Sequence, residues 1–339
     1  MQLNHRATAT AFFLAATLAL AGCSGSSSPT SPGAEGTTGA TPRPTCPLTG
    51  LPVGGHENGK RPALAIKVDN ISDALPQAGL NNADVVFEEL VEGGLTRLMP
   101  VYQCDKAAEV GPIRSARITD ADLLALFHGS VLGYSGANPK DMPPIRAHSG
   151  AALISWDAQP QYFHVDSARP APHDVFGSTT TLLNEGLKLR PKLDAPPSLF
   201  TYGAIDATAR RAHSVYMAWP AASALWTWSG SSWLRTQDGA TDNLTDGKRV
   251  SATNIVVLNV AIQDTGIRDI AGNPSPLDVT IGSNPAWVLR NGKMIRGRWS
   301  RPSIGSGITL TDRAGAPIAL APGRTWVELL PVGSKPQRR

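Results

Sequence analysis

The chain of 339 residues is poor in cysteine, with three, and no segment after residue 22 is apolar enough to span a bilayer. The histidines at 128, 148, 164 and 173 form no pair at metal-ligand spacing, so we expect neither a metal site nor another cofactor. The formal charge of +4 at pH 7 gives no support for nucleic-acid binding. What remains from Cys46 onward is roughly 290 residues, enough for a large core or two lobes.

The first 22 residues predict an export signal. After Arg6 comes the apolar run ATATAFFLAATLALAG, which is too short to span a membrane but suits the central region of a secretory signal. The run ends in LAGC, Leu20 to Cys23, which is typical of a bacterial lipoprotein signal, where the cysteine thiol takes a diacylglyceryl group. An ordinary cleavage site beside an incidental cysteine is the alternative. We expect acyl chains on Cys23 to hold the mature protein at the membrane.

Residues 23–45 are predicted to be a disordered linker, because the run from 24 onward has no bulky apolar residue to offset the entropy of ordering. Cys46 then opens the folded part, and Cys104 ends a predicted strand. Two cysteines in an exported body are more often joined than free, so we expect a disulfide between them. Two separate buried thiols are the alternative.

The body predicts an α/β (α+β) fold in two parts, 46–192 and 198–333. The first part is mixed. It contains a strand candidate at 62–70, a hairpin within 83–104, and two helices, of which the first begins with a capping box formed by Thr119 and Asp122. Ser178 or Thr179 is expected to cap the second helix. The second part is a series of short strands and turns, so we expect mostly antiparallel sheet there.

Carboxylates concentrate in the predicted hairpin, at Glu88, Glu89 and Glu92. With Gly93-Gly94 as a two-residue turn, Arg97 is expected opposite Leu90, with Glu88 and Glu92 as its diagonal neighbours on one face. A cross-strand ion-pair network of modest strength is the favoured interpretation. The alternative is that Glu88 or Glu92 acts as a general acid or base tuned by Arg97, in the manner of paired glycosidase carboxylates.

Two arginines stand in GPIRSARITD (111–120), just before the first predicted helix. Arg114 and Arg117, with the Ser115 hydroxyl and the helix N-terminus, could form an anion site. The equally weighted alternative is that they clamp neighbouring carboxylates such as Asp69, Asp84 or the glutamate cluster.

Other candidate residues carry weaker signals. His173 follows a proline in APHDVF (171–176), in a turn that we expect to be exposed. Trp226 and Trp228 share a strand face, which favours core packing over sugar stacking. Arg296 and Arg298 share a face that we expect to be solvated, although a polyanionic wall polymer or lipid headgroup would suit it.

Several of these stretches together resemble the YerB-like family of bacterial lipoproteins. They are RPALAIKVDN, PQAGLNNADVVFEELVEGGLTRLMPVYQ, GPIRSAR, APHDVF, GKMIRGRWSRPS and PGRTWVELLP, and the resemblance covers about Pro47 to Pro331. It implies a lipoprotein in two consecutive parts, with a layered sheet–sheet–helix sandwich, and it implies no established activity or catalytic residue. The polar residues of the family pattern, which suggest one cleft, are Asp69, Asn70, Glu88, Glu92, Thr96, Arg97, Arg114, Ser115, Arg117 and His173.

The sequence therefore predicts a lipid-anchored protein on the extracytoplasmic face of the cell membrane. We favour binding over catalysis, with an anionic or glycan ligand held by Asp69, Asn70, Arg97, Arg114, Ser115, Arg117 and His173. The first alternative is a cell-wall hydrolase or transferase that uses Glu88 or Glu92 with His173. The second is a structural envelope lipoprotein. Expected partners are the membrane itself and a cell-wall polymer or envelope protein, and no nucleic acid.

Overall fold

A mixed sheet of 13 strands carries both parts of the body in the computed structural model, which describes residues 44–54, 57–204 and 209–339. The predicted signal at 1–22, the lipidation site Cys23 and nearly all of the linker lie outside the described residues. Within the described ranges, no helix combines the length and apolar character that crossing a bilayer requires.

The body contains three α-helices among its described residues: α1 Thr119–Ala125, α2 Met142–His148 and α3 Thr179–Leu189. The strands are β1 Ala63–Ile66, β2 Val68–Asp69, β3 Val85–Leu90, β4 Thr96–Tyr102, β5 Ser130–Tyr134, β6 Ala152–Ser155, β7 Phe163–Val165, β8 Val175–Gly177, β9 Arg210–Arg211, β10 Ser214–Ala218, β11 Ser223–Trp228, β12 Trp233–Gln237, β13 Ala240–Thr241, β14 Ser251–Ala252, β15 Asn254–Arg268, β16 Pro274–Val279, β17 Gly282–Arg290, β18 Lys293–Arg301, β19 Thr309–Asp312, β20 Thr325–Pro331 and β21 Gln337–Arg338.

The large sheet has the order β19-β18-β17-β15-β20-β3-β4-β1-β5-β6. Strands β15, β20 and β3 are mutually parallel, and so are β1, β5 and β6. Strand β4 separates the two groups and is antiparallel to both β3 and β1. All six parallel strands therefore point the same way, and their carboxyl ends meet at one edge of the sheet.

Each face of this sheet covers its own apolar core, because the central strands are buried on both sides. In β3, Val86 belongs to one core and Val85 and Phe87 belong to the other. Helices α1 and α2 pack on the Phe87 side, where they contribute Leu124 and Ile145. Each fully buried side chain of this kind contributes roughly 1.5–3 kcal/mol to folding.

A second sheet of six strands, in the order β13-β12-β11-β10-β21 with β14 on β12, covers the opposite face together with α3. Its inward side chains include Trp226 and Trp233, which are fully buried. Trp226 packs edge to face on Trp326 of β20, with ring centroids 5.2 Å apart. The preference for core packing over sugar stacking at Trp226 is therefore confirmed. The result is the mostly β, layered α+β sandwich that the sequence predicted.

The β3–β4 hairpin differs from the sequence prediction by one residue in register. Arg97 pairs with Glu89, and Glu88 pairs with Leu98. The predicted alignment of Arg97 with Leu90 is wrong because the turn has three residues, Glu92–Gly94, and not two. A slip of one residue exchanges the two faces of a strand, so Glu88 and Arg97 point to opposite sides of the sheet.

The start of α1 also differs from the prediction. Thr119 makes no capping bond with its own helix, and its hydroxyl accepts the backbone N–H of Asp278 at 3.1 Å. Among the described residues no side chain caps α1, and the Asp120 carboxylate instead accepts the N–H of Arg117, two residues before the helix, at 2.7 Å. Elsewhere Cys46 and Cys104 form the predicted disulfide, with their Cα atoms 6.0 Å apart.

Candidate functional site

The candidate site lies where the carboxyl ends of the parallel strands meet. Glu92 follows β3, Asp69 ends the extension of β1, and Gly136 follows β5. Arg97 reaches the same edge because it stands near the start of the antiparallel strand β4. In open α/β sheets, ligands bind beyond the carboxyl ends of the strands, so the topology points to this edge.

The GPIRSAR segment is held between two strand ends by its own backbone. Asp69 donates its N–H to the carbonyl of Pro112 at 2.9 Å, and Arg114 donates its N–H to the carbonyl of Lys67 at 2.9 Å. On the other side, Ser135 donates its N–H to the carbonyl of Arg114 at 3.0 Å. Because these bonds fix the backbone at Arg114, its side chain starts from a fixed position.

Asp69 is the acceptor at the centre of the site. Its Oδ2 accepts Nε of Arg114 at 2.9 Å and lies 2.8 Å from Nδ1 of His173, and its Oδ1 accepts the N–H of Asn70. Burial acts to raise the pKa of Asp69, but the charges of Arg97 and Arg114 and these hydrogen bonds bring it below its usual range. Asp69 is therefore an ionised acceptor that fixes Arg114 and His173.

His173 departs from the sequence prediction of an exposed turn. It is 8% exposed, and its ring nitrogen Nδ1 contacts the carboxylate of Asp69. The equally weighted alternative, in which the two arginines clamp neighbouring carboxylates, is observed for Arg114 with Asp69. Asp84 is occupied elsewhere, where it accepts the backbone N–H groups of Gln103 and Cys104.

Arg117 and Glu92 form a second ion pair, with Nε and Oε2 2.8 Å apart. The other carboxylate oxygen of Glu92 accepts the hydroxyl of Ser275 at 2.7 Å. Burial opposes ionisation of Glu92, but Arg117 and Ser275 lower its pKa. Glu92 is thus suited to be a stable anion and not a proton donor at neutral pH.

Arg97 is the exception among these charged groups, because no carboxylate in residues 44–54, 57–204 and 209–339 forms an ion pair with it. It is 6% exposed, and its NH1 donates to the carbonyl of Ser115 at 3.1 Å. Its Nε is buried and makes no hydrogen bond within the described part of the chain. Burial and the like charges of Arg117 and Arg114 lower the pKa of Arg97 to about 10, although Asp69 and Glu92 oppose this. An unpaired buried cation of this kind is costly.

An open pocket of about 520 Å³ lies against these groups, and we call it the arginine pocket. It is lined by Glu92, Arg114, Ser115, Arg117, Gly136, Ala137, Asn138, Pro139, Arg268, Asp269 and Ile270. Arg97 lies behind Ser115, whose carbonyl it contacts. The structure therefore brings together Glu92, Arg114, Ser115 and Arg117 at the pocket, with Asp69, Arg97 and His173 behind them.

Two predicted residues lie on the other face of the sheet. Glu88 is fully buried and forms an ion pair with Arg235 of the second sheet at 2.6 Å. Asn70 donates to the same Glu88 at 3.1 Å and to the hydroxyl of Thr96 at 2.7 Å. Glu88 and Asn70 therefore belong to the packing between the two sheets.

A buried charge cluster lies on the helix side of the sheet, next to Arg97. Lys67 forms ion pairs with both Glu89 and Asp120, and all three side chains are fully buried. Burial and the charge of Asp120 raise the pKa of Glu89 to about 7, although Lys67 opposes this. One ammonium group thus faces two carboxylates, which favours a proton shared by the two carboxylates near neutral pH.

The sequence analysis missed several residues near the site. Arg268 is the last residue of β15 and Asp269 follows it, more than a hundred residues beyond GPIRSAR, and no local pattern predicted them. Asp141 follows the pocket-lining Asn138 and Pro139 in the chain and donates its N–H to the carbonyl of Asn138 at 2.9 Å. Burial raises its pKa to about 6. Its position before Met142 and Pro143, at the start of α2, was a signal that could have found it.

Groups of three or more metal-ligating side chains are absent from residues 44–54, 57–204 and 209–339.

Comparison with known proteins gives one consistent result. Residues 48–191 match the N-terminal domain, and residues 214–327 the C-terminal domain, of the protein of unknown function DUF3048. The "Putative lipoprotein YerB" of Bacillus subtilis (strain 168) is 26% identical in an alignment 297 residues long that covers 84% of this chain and 86% of that protein.

The crystal structure of the YerB protein from Bacillus subtilis has the same fold. The two superpose with a TM-score of 0.72 at 21% identity, over 87% of this chain and 100% of that one. With both domain models matched in order along the body, the chain belongs to the DUF3048 family, whose molecular function is unknown.

Proposed function

We propose that this chain is a lipid-anchored protein of the extracytoplasmic face of the membrane, and that it binds an anionic ligand in the arginine pocket. The address is supported by the LAGC stretch at Leu20 to Cys23 and by the name of the relative, which calls that protein a lipoprotein. Acyl chains on Cys23 would then hold the body beside the cell wall.

The observation that carries the binding proposal is that Arg97 forms no ion pair with any carboxylate among the described residues. A buried guanidinium normally has a carboxylate or several carbonyl acceptors, since its desolvation is otherwise uncompensated. Arg97 has one carbonyl acceptor, and two more arginines stand beside it. Bringing an anion to this place would offset the repulsion among the three cations.

Arg114 and Arg117 would supply the direct contacts. The Arg114 side chain is 25% exposed and uses its Nε for Asp69, which leaves its terminal nitrogens available to the pocket that it lines. Arg117 uses its Nε for Glu92 and its NH1 for the carbonyl of Ala116. Guanidinium forks match carboxylate and phosphate groups, so a wall polymer that carries either group is the ligand class that fits.

Helix α1 is too short for its N-terminus to form an anion site by itself. It has seven residues, and Asp120 already accepts the N–H of Arg117. The proposed site therefore depends on side chains, and its affinity should respond to single arginine substitutions.

The test is binding of soluble peptidoglycan fragments and of glycerol-phosphate oligomers to the full chain in detergent, by calorimetry. We expect Arg114→Gln to weaken binding by about ten- to a hundredfold, the value of a charge-assisted hydrogen bond. Arg146→Gln is the matched control, because Arg146 is an exposed arginine of α2 that lines no part of the pocket. Equal affinities of Arg114→Gln, Arg146→Gln and the unaltered chain would disprove the proposal.

A second candidate function is a wall hydrolase, favoured by two carboxyl groups with opposite pKa shifts. Arg117 and Ser275 lower the pKa of Glu92, whereas burial raises that of Asp141. Asp141 is fully buried and lines no part of the pocket, which is why we prefer binding. The same incubations distinguish the two functions: cleaved fragments in the mass spectrum that disappear with Glu92→Gln would establish the hydrolase.

A further inference from the structure

A second pocket, independent of the arginine pocket, lies in the C-terminal part of the body. It has a volume of about 510 Å³ and is lined by Arg210, Met294, Arg296, Asp312, Arg313, Ala314 and Arg338. We call it the basic pocket. Four of its seven lining residues are arginines, and Asp312 is its single carboxylate, so it concentrates positive charge in a chain of formal charge only +4.

The four arginines reach this pocket from four separate segments. Arg210 belongs to β9 and pairs with Met294 of β18, and Arg296 is two residues along β18 and therefore on the same face as Met294. Arg338 comes from β21, the edge strand of the second sheet, and Arg313 comes from the turn after β19. The tertiary structure therefore brings the four arginines together, because they come from segments that are far apart in the sequence.

These arginines lack internal counter-charges. All four are exposed, and within the described residues none of them forms an ion pair. Arg338 donates to the backbone carbonyl of Arg211 at 3.2 Å. The Asp312 carboxylate is engaged in its own turn, where Oδ1 accepts the N–H groups of Ala314 and Ala316 at 2.8 Å each. The pocket therefore keeps several guanidinium donors for a ligand.

We propose that the basic pocket binds an anion that carries two linked phosphates. Each guanidinium fork can take a phosphate through two parallel N–H···O bonds, and four forks around one pocket suit a group with two phosphates better than a single carboxylate. Such a diphosphate is carried by soluble phosphate esters and by lipid headgroups.

Inorganic diphosphate is the probe, titrated calorimetrically into the full chain in phosphatidylcholine vesicles. The decisive pair of variants is Arg296→Gln and Arg298→Gln. Both residues are exposed arginines of β18 on one face, but Arg298 lines no part of the pocket and contacts the carbonyl of Ser283 at 3.2 Å. The two variants change the net charge equally, so they separate a built site from general surface attraction.

We expect saturable binding that Arg296→Gln weakens about tenfold or more and that Arg298→Gln leaves nearly unchanged. No heat of binding, or an equal loss in both variants, would overturn the proposal. Because both residues are exposed, thermal unfolding of the variants should match that of the unaltered chain.

Vesicles that contain a diphosphate-bearing lipid identify the source of the group. If this lipid lowers the apparent affinity for inorganic diphosphate, and does so only while Arg296 is present, the ligand is a lipid headgroup. If the affinity is the same in both kinds of vesicle, the ligand is a soluble phosphate ester. Either result supports a diphosphate site, whereas competition that persists equally in Arg296→Gln contradicts it.

Discussion

Arg97 pairs directly with Glu89 across the β3–β4 hairpin, yet its guanidinium donates to the carbonyl of Ser115. Glu89 is engaged by Lys67 instead. The strand pairing thus places Arg97 opposite a carboxylate that Lys67 already neutralises. Within the described part of the chain, Arg97 stays near the arginine pocket with a carbonyl acceptor and no carboxylate partner.

Removing the charge of Arg97 and removing that of Arg235 should have different effects on the free energy of unfolding. Arg97→Met removes a buried cation that has no ion pair, so we expect the free energy of unfolding to stay constant or to rise. Arg235→Met leaves Glu88 and Asp242 buried without their common partner, and should destabilise the protein by about 3–5 kcal/mol. Urea unfolding of both variants measures the difference. Similar losses in the two would mean that Arg97 supports the fold.

Glu89 should make stability fall as the pH rises. Its pKa in the folded protein is about 7, against about 4.5 when it is not perturbed, so between these values the native state holds a proton that the unfolded state has released. The unfolding free energy therefore decreases with rising pH across this window and the loss is complete above pH 7.

Glu89→Gln removes this dependence. Relative to the unaltered chain, the variant should gain up to about 3 kcal/mol in unfolding free energy between pH 4.5 and pH 7, measured by urea unfolding at a series of pH values. Asp73→Asn, at an exposed position, is the control and should leave the profile unchanged. If Glu89→Gln gives the same profile as the control, Glu89 is ionised in the native state and fully compensated by Lys67.

The disulfide between Cys46 and Cys104 should stabilise the body through the unfolded state. The two cysteines are 58 residues apart, and closing a loop of this length reduces the entropy of the unfolded chain by the equivalent of about 4 kcal/mol. We expect the free energy of unfolding of the double variant Cys46→Ser, Cys104→Ser, measured by thermal unfolding, to be lower by up to this amount. A reducing agent should lower the melting temperature of the unaltered chain and leave that of the double variant unchanged. A melting temperature unaffected by either treatment would contradict the stabilising role.

Local patterns in the sequence sufficed for the kinds of element and for several of their ends. Gly93 and Gly94 marked the β3–β4 turn, and both have positive φ there. The apolar run at 62–70 marked the buried strands β1 and β2. These signals succeed because turn geometry and strand burial depend on residues within a few positions of one another.

The failures occurred where distant residues decide the outcome. The α1 cap could not be assigned because Thr119 bonds to Asp278, which is 159 residues away. His173 looked exposed from its turn, and its burial depends on Asp69, which is 104 residues away. The register of the hairpin depended on whether Glu92 joins the turn, and Glu92 is held there by Arg117 and Ser275.

The sequence by itself determined the family, the mixed and mostly β class, the disulfide partners and the polar residues of the family pattern. Only the tertiary structure decided how those polar residues divide between two faces of one sheet: Glu88 and Asn70 pack against the second sheet, and Arg97, Arg114 and Arg117 gather beside a pocket. The physical reason is the two-residue period of a strand, which makes the face of every side chain depend on a register that a single turn residue sets.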